Sequence, residues 1–181
     1  QSRSSAASDV YKRQIETSTQ PLRVILDPRL SLLLAELNDG ARYQVFSDGY
    51  PTVVYHCVPD VDIASLNLLE SVSVVYVPPP KHGVPEELPE SRDANRPGLY
   101  VTPTAVVEDL QKNYNVQHLM VEGGPVTAMN FLQSGIVDRA IIVRAPIEFQ
   151  QPVPSGMSEA TLQAAGLELV GSRASGVDTI D

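Results

Sequence analysis

The sequence predicts an α/β domain with a mainly parallel sheet, flanked by helices and followed by a C-terminal antiparallel hairpin. Short β-rich runs alternate with amphipathic segments through the middle of the chain, which favours parallel strands with helical crossovers. Residues 72–77 (VSVVYV) are almost continuously apolar, as in a parallel strand buried on both faces. Residues 167–170 and 177–180 are strand-like and are joined by a Gly-Ser turn region, which predicts the hairpin.

The first half of the chain contains short elements. Residues 22–26 form a β-rich run that ends at Asp27-Pro28 and predict a strand. Residues 31–38 are Leu-rich and fit either a short helix or a packed loop. Further strands are predicted at 43–46 and 52–57, and a helix is predicted at 63–71.

Residues 78–98 differ in composition from the rest of the chain. They contain six prolines, with acidic side chains between them. A core cannot accommodate so many missing N–H groups, so we expect an exposed insertion. The alternation of strand and helix resumes after it, which argues against a boundary between two domains.

The second half has clearer helix signals. Thr102-Pro103 is a typical helix start and predicts a helix to Tyr114. Residues 125–134 are amphipathic, with Gly135 at the expected C′ position. The remaining predictions are strands at 116–121 and 138–145 and a short helix at 158–165 that Gly166 ends.

Composition excludes several classes of function. The net charge of -9 argues against nucleic acid as the main partner. We expect no membrane span, because no stretch approaches about 20 apolar residues. The single Cys57 excludes an internal disulfide, and the three histidines lack metal-ligand spacing, so we expect no metal.

The two ends of the chain suggest a fragment. Residues 1–14 are Ser-rich without apolar periodicity, and we interpret them as a non-native leader or disordered remnant. The alternative is the tail of an organelle transit peptide. The domain would then span residues 15–181, and we expect truncation at both ends.

The chemistry-bearing segment is the turn after the predicted strand 116–121. Glu122-Gly123-Gly124 follows that strand, and a helix begins at once. Consecutive glycines let a ligand approach main-chain N–H groups, and a helix N-terminus favours a phosphate. The same pattern also occurs as a mere tight connection. A P-loop and a G-x-G-x-x-G fingerprint are both missing.

Three individual side chains, those of Glu122, Cys57 and His118, were considered for a structural or a functional role. Glu122 is either an exposed acid at a strand end or an acceptor for substrate N–H or hydroxyl groups. Cys57 is interpreted as a core thiol because no neighbouring base is identifiable. His118 lies in a predicted apolar strand and is interpreted as a core histidine.

The run Val121-Glu122-Gly123-Gly124-Pro125, with Ala128, Phe131-Leu132, Gly135 and Val137-Asp138, resembles the reductase domain of riboflavin biosynthesis. That domain has a dihydrofolate-reductase-like fold. The segment 21–27 (PLRVILD) resembles the Pro-x-Arg-Val-Val-Leu-Asp strand of that domain, and the tail is similar to the plant and algal versions. The resemblance covers about residues 20–181.

The resemblance implies an NADPH-dependent oxidoreductase. Its substrate would be 5-amino-6-(5-phosphoribosylamino)uracil, whose ribose is reduced to the ribityl form by hydride transfer to C1′. The plant-like tail favours this uracil over the non-deaminated pyrimidinone. The family also implies a homodimer. The sequence does not identify the cellular location, and the resemblance is compatible with either a plastid or the cytoplasm.

The resemblance also implies site residues. Glu122 would bind the substrate. The cofactor would contact Gly123, Gly124, Pro125, Val126 and Thr127, with Asp27 near its adenosine side. Pro28 replaces a serine found in many relatives. Arg29 either compensates at the 2′-phosphate or is a solvated surface arginine.

The family's N-terminal strand, Gly-rich cofactor segment and substrate loop do not precede Pro21. We therefore expect this polypeptide alone to be inactive. Two alternatives remain open: a non-catalytic reductase-like module in a larger protein, or a dihydrofolate-reductase-like enzyme with another substrate.

Overall fold

The computed structural model describes residues 20–38, 43–79, 100–146, 155–176 and 178–180. The predicted leader 1–14 and most of the Pro-rich insertion 78–98 lie outside these residues. Within the insertion, Pro78 and Pro79 are described and are exposed.

A three-stranded parallel sheet forms the first half of the described chain. Its strands are β1 (Arg23–Leu26), β2 (Thr52–His56) and β3 (Val72–Tyr76), in the order β1-β2-β3. The register pairs Leu26 with Tyr55 and His56 with Tyr76, so the carboxyl ends of all three strands meet at one edge. The predicted parallel sheet is confirmed, and every residue of β2 is buried.

Three short helical segments connect these strands: α1 (Ser31–Asn38), α2 (Gln44–Ser47) and a 3-10 helix (Ile63–Leu66). The strand predicted at 43–46 is wrong, because these residues form one helical turn that buries Phe46 against Leu30 and Leu33. The helix predicted at 63–71 is a single 3-10 turn. Asn67 ends it in the left-handed conformation, at φ 48°.

Three later helices have the predicted bounds to within a residue or two: α3 (Pro103–Tyr114), α4 (Pro125–Gln133) and α5 (Glu159–Ala164). Thr102 precedes α3 in an extended conformation, with Pro103 in the first turn. Gly135 follows α4 at φ 68°, a conformation that favours glycine and ends the helix. The Ser158 hydroxyl caps α5 by accepting the Thr161 N–H at 3.1 Å.

A second, antiparallel sheet consists of β4 (Val143–Arg144), β5 (Arg173–Ser175) and β6 (Asp178–Ile180), in the order β4-β6-β5. The C-terminal hairpin is confirmed. The strand predicted at 167–170 is wrong, because those residues form no strand and Val170 is 94% exposed. The first strand of the hairpin is Arg173–Ser175, within the predicted turn region.

Two other strand predictions differ from the structure. The run 138–145 contributes only Val143–Arg144 to a strand, and residues 116–121 form none. Both runs have the apolar residues of a strand, but a strand also needs neighbours that pair with its backbone. Local sequence cannot supply that information.

The core lies on the two faces of the parallel sheet, because side chains alternate along β2. Val53 and Tyr55 face α3, where they pack with Val106 and Leu110. Val54 faces the opposite side and packs with a cluster formed by Leu30, Leu33, Phe46 and Val72. The sheet is therefore covered on both sides.

Candidate functional site

Asp27 lies at the carboxyl end of β1 and is 3% exposed. Its Oδ1 accepts the Ser31 N–H at 2.9 Å and the Ser31 hydroxyl at 3.0 Å. Its Oδ2 accepts the Leu32 N–H at 2.8 Å. The carboxylate thus satisfies the first N–H groups of α1, and a role of Asp27 at the cofactor remains a prediction.

The turn at Glu122, Gly123 and Gly124 is exposed and leads directly into α4. Gly124 occupies the N-cap position with φ -67° and ψ 174°, and its carbonyl accepts the Ala128 N–H at 3.1 Å. Neither glycine has a positive φ. The sharp left-handed turn that two glycines permit is therefore not used.

Gly123 and Gly124 differ in the space that is available for a side chain. A Cβ on Gly123 would lie 2.6 Å from the Cβ of Thr127, so any larger residue would collide with the first turn of α4. A Cβ on Gly124 would meet no atom within 4 Å. Gly123 is therefore required by packing within the chain, whereas Gly124 leaves open space beside the main chain.

The first turn of α4 supplies hydrogen-bond donors next to that space. Pro125 has no N–H, and the N–H groups of Val126 and Thr127 precede the first intrahelical partner, so they have none within the helix. A helix N-terminus also carries a partial positive charge. The predicted residues 123–127 thus form one continuous surface that suits an anion.

A cavity of about 600 Å³ lies beside this turn. The lining is mainly apolar and comes from α3, α4, the extended segments 116–121 and 136–142, Met157 and Leu162. Val121 and Ala128, on either side of the turn, both contribute to the wall. Glu122 to Thr127 therefore connect two walls of the cavity.

His118 and Cys57 have different surroundings. His118 lines the cavity and its side chain is exposed, so the interpretation as a core histidine is wrong. The cause is the absence of a sheet at 116–121 that would bury it. Cys57 is buried with Sγ 3.5 Å from the Tyr100 carbonyl, and burial raises the pKa of its thiol. Cys57 is thus a core thiol, as predicted.

His56 received no role in the sequence analysis, yet it ends β2 at the carboxyl edge of the sheet. Its Nδ1 accepts the Val58 N–H at 3.3 Å, and its ring lies 5.7 Å from that of Tyr76. Burial lowers the pKa of His56, which favours the neutral ring. His56 is the second-to-last residue of the predicted strand 52–57, and the sequence did not show which strand ends lie beside it.

Among the described residues, no group of three or more His, Cys, Asp or Glu side chains is arranged to hold a metal ion. None of the helices in the described ranges has the length and apolar character to cross a membrane.

Comparison with known families gives one informative result. The family model described as the RibD C-terminal domain matches residues 3–180, nearly the whole chain. No curated protein and no solved structure matches the sequence.

Proposed function

Because the chain belongs to the RibD C-terminal domain family, a reductase domain of riboflavin biosynthesis, we propose that it binds NADPH. We further propose that the reaction in which this domain takes part is the reduction of the ribose of 5-amino-6-(5-phosphoribosylamino)uracil to the ribityl form. The dihydrofolate-reductase-like α/β fold of the family agrees with the parallel sheet and its flanking helices.

The observation that carries this proposal is the open space at Gly124, directly before α4. A phosphate there can approach the backbone without meeting a side chain. The N–H groups of Val126 and Thr127 are the donors that would hold it, and the helix dipole adds attraction. Gly123 contributes by letting the turn pack against Thr127.

Bound NADPH would supply the hydride for the sugar carbon, and the protein would supply position and electrostatics. We expect the reacting groups to lie in the neighbouring cavity, whose lining is mainly apolar. Glu122 lies at the same turn and is exposed, and its carboxylate would accept hydrogen bonds from the pyrimidine ring or the sugar hydroxyls.

The proposal is tested by titrating the chain with NADPH and following binding calorimetrically. Saturable binding below millimolar cofactor is expected. No binding at millimolar NADPH would contradict the proposal and favour a non-catalytic module with the same fold.

The role of Glu122 is tested with Glu122→Gln, which keeps the size of the side chain and removes its charge. Substrate binding should weaken about tenfold, as expected for the loss of a hydrogen bond from a charged group, whereas NADPH binding should not change. Glu168→Gln, another exposed acid, is the matched control. Unchanged substrate binding in Glu122→Gln would remove Glu122 from the site.

A further inference from the structure

All three methionines of the sequence lie at or next to the cavity of the candidate site. Met120, in an extended segment, and Met157, before α5, both line the cavity. Met129 lies in α4, and its Sδ is 3.3 Å from the position that a Cβ on Gly156 would take. Gly156 directly precedes Met157, so Met129 packs against the segment that carries this part of the wall.

These methionines differ in their exposure to solvent. Met120 is 76% exposed, although the cavity that it lines is mainly apolar. Met129 and Met157 are half-buried, and the sulfur of Met129 lies beside Gly156. An oxidant in solution must reach the thioether before it can react, so Met120 is the methionine most accessible to oxidation.

The remaining sulfur of the chain, that of Cys57, is a poor competitor for an oxidant. Cys57 is 3% exposed, and burial raises the pKa of its thiol. Because the thiolate is the reactive form, a buried thiol with a raised pKa reacts slowly. Oxidation of the folded chain should therefore begin at Met120.

Oxidation by a hydroperoxide requires only the thioether and the peroxide. The sulfur lone pair attacks one peroxide oxygen, and the O–O bond breaks as the S–O bond forms. The departing oxygen takes up the proton of the peroxide and leaves as water or an alcohol. The sulfur loses two electrons, and the peroxide gains them. The product is methionine sulfoxide, in which a flexible apolar side chain has become polar.

We propose that Met120 is a site of oxidation by hydroperoxides and that its oxidation weakens the binding of apolar or aromatic ligand surfaces in the cavity. A sulfoxide in the wall keeps its hydrogen bonds to water only while it stays uncovered, and covering it with an apolar surface costs free energy. The inference rests on the proposed function for the view that the cavity holds the reacting groups, whereas the site of oxidation does not depend on that function.

The test exposes the wild type, Met120→Leu and Met129→Leu to hydrogen peroxide. Leucine is similar in size to methionine but has no sulfur, and Met129→Leu is the matched control. Peptide mass spectrometry follows the sulfoxide at each methionine, and thermal unfolding shows whether each variant is folded. Binding of the aromatic dye anilinonaphthalenesulfonate and of NADPH is measured before oxidation, after oxidation and after treatment with methionine sulfoxide reductases.

The sulfoxide should form first at Met120. Dye binding should then weaken about three- to tenfold in the wild type and in Met129→Leu, stay constant in Met120→Leu, and recover after the reductases. Equal oxidation rates at the three methionines would overturn the site of oxidation. Dye binding that is absent from the wild type, or that oxidation does not change, would overturn its effect on the cavity. The expected dye response without any NADPH binding would instead contradict the proposed function alone.

Discussion

The described chain before residue 115 and the part after it differ in how they use their apolar residues. In the first part, buried apolar side chains cover both faces of the parallel sheet. In the second part, only Phe131 and Leu132 are buried among the described apolar residues, and Met120, Ile141 and Leu169 are each more than 60% exposed. The turn 122–124 lies in this second part and is exposed.

Under the proposed function, stability and ligand binding depend on separate regions of the chain. Burial of apolar surface is the main favourable contribution to folding, so the sheet and α3 should dominate the free energy of unfolding. The turn before α4 contributes little burial and can be changed at small cost. Substitutions in the two regions should therefore affect different measurements.

The largest effect on stability is expected for Leu110→Ala. Leu110 is 1% exposed and packs against the sheet from α3, so truncation leaves a cavity and should cost about 2 to 5 kcal/mol. Leu169→Ala, at a site 67% exposed, should change stability by no more than about 0.5 kcal/mol. Chemical denaturation measures both, and equal losses would contradict the contrast between the two regions.

A smaller loss is expected for Asp27→Ala. The substitution leaves the first N–H groups of α1 without the carboxylate and should cost about 2 kcal/mol, the upper range for a helix cap. Glu108→Ala, at an exposed acid on α3 outside the cavity lining, is the control for the change of charge. If Asp27→Ala weakens NADPH binding without lowering the unfolding temperature, Asp27 acts on the cofactor rather than on α1.

Tyr55→Phe tests the link between β2 and α3. The Tyr55 hydroxyl donates to Asp109 Oδ2 at 2.7 Å, and burial together with this bond raises the pKa of Tyr55. Loss of the bond should cost about 1 kcal/mol in the free energy of unfolding. Tyr76→Phe is the matched control, because Tyr76 is 47% exposed. A similar loss of unfolding free energy in both variants would show that the hydrogen bond to Asp109 does not contribute to stability.

The smallest effect concerns pH. The Arg23 guanidinium donates to both oxygens of Asp48, at 2.6 and 2.7 Å, and holds the pKa of that carboxyl below its ordinary value of 3.8. A lowered pKa in the folded state stabilises the fold above pH 3.8, and this contribution is lost as the pH falls through the lowered pKa. Unfolding temperatures of Asp48→Asn should therefore fall less steeply below pH 4 than those of the wild type. An equally steep fall of the unfolding temperature in both proteins would contradict the contribution of the Arg23–Asp48 ion pair.

Sequence patterns correctly predicted those elements whose formation depends on local backbone preferences or on a distinctive apolar composition. Thr102-Pro103 and Gly135 mark helix ends through backbone preferences that act locally. Both β2 and β3 follow from β-rich, largely apolar runs, and β2 is buried on both faces as such a composition predicts. The expectation of burial on both faces is wrong for β3, where only Val72 is buried, because β3 lies at an edge of the three-stranded sheet.

The remaining elements depend on contacts that local sequence does not contain. Residues 43–46 have the composition of a strand, but burial of Phe46 beside α1 favours a helical turn. The candidate site shows the same division. Gly123 and Gly124 were selected for their sequence position, whereas their different roles depend on the location of the Thr127 side chain. His56 could be recognised only once the carboxyl ends of the strands were aligned.

The most direct test of the central claim compares the affinity for NADPH of the wild type, Gly124→Val and Gly171→Val. A Cβ at either glycine would meet no atom within 4 Å, and neither has a positive φ, so both variants should fold. The account predicts that Gly124→Val, which fills the space before α4, weakens NADPH binding at least tenfold and that Gly171→Val leaves it unchanged. Equal NADPH affinity in all three proteins would show that the turn does not bind the cofactor.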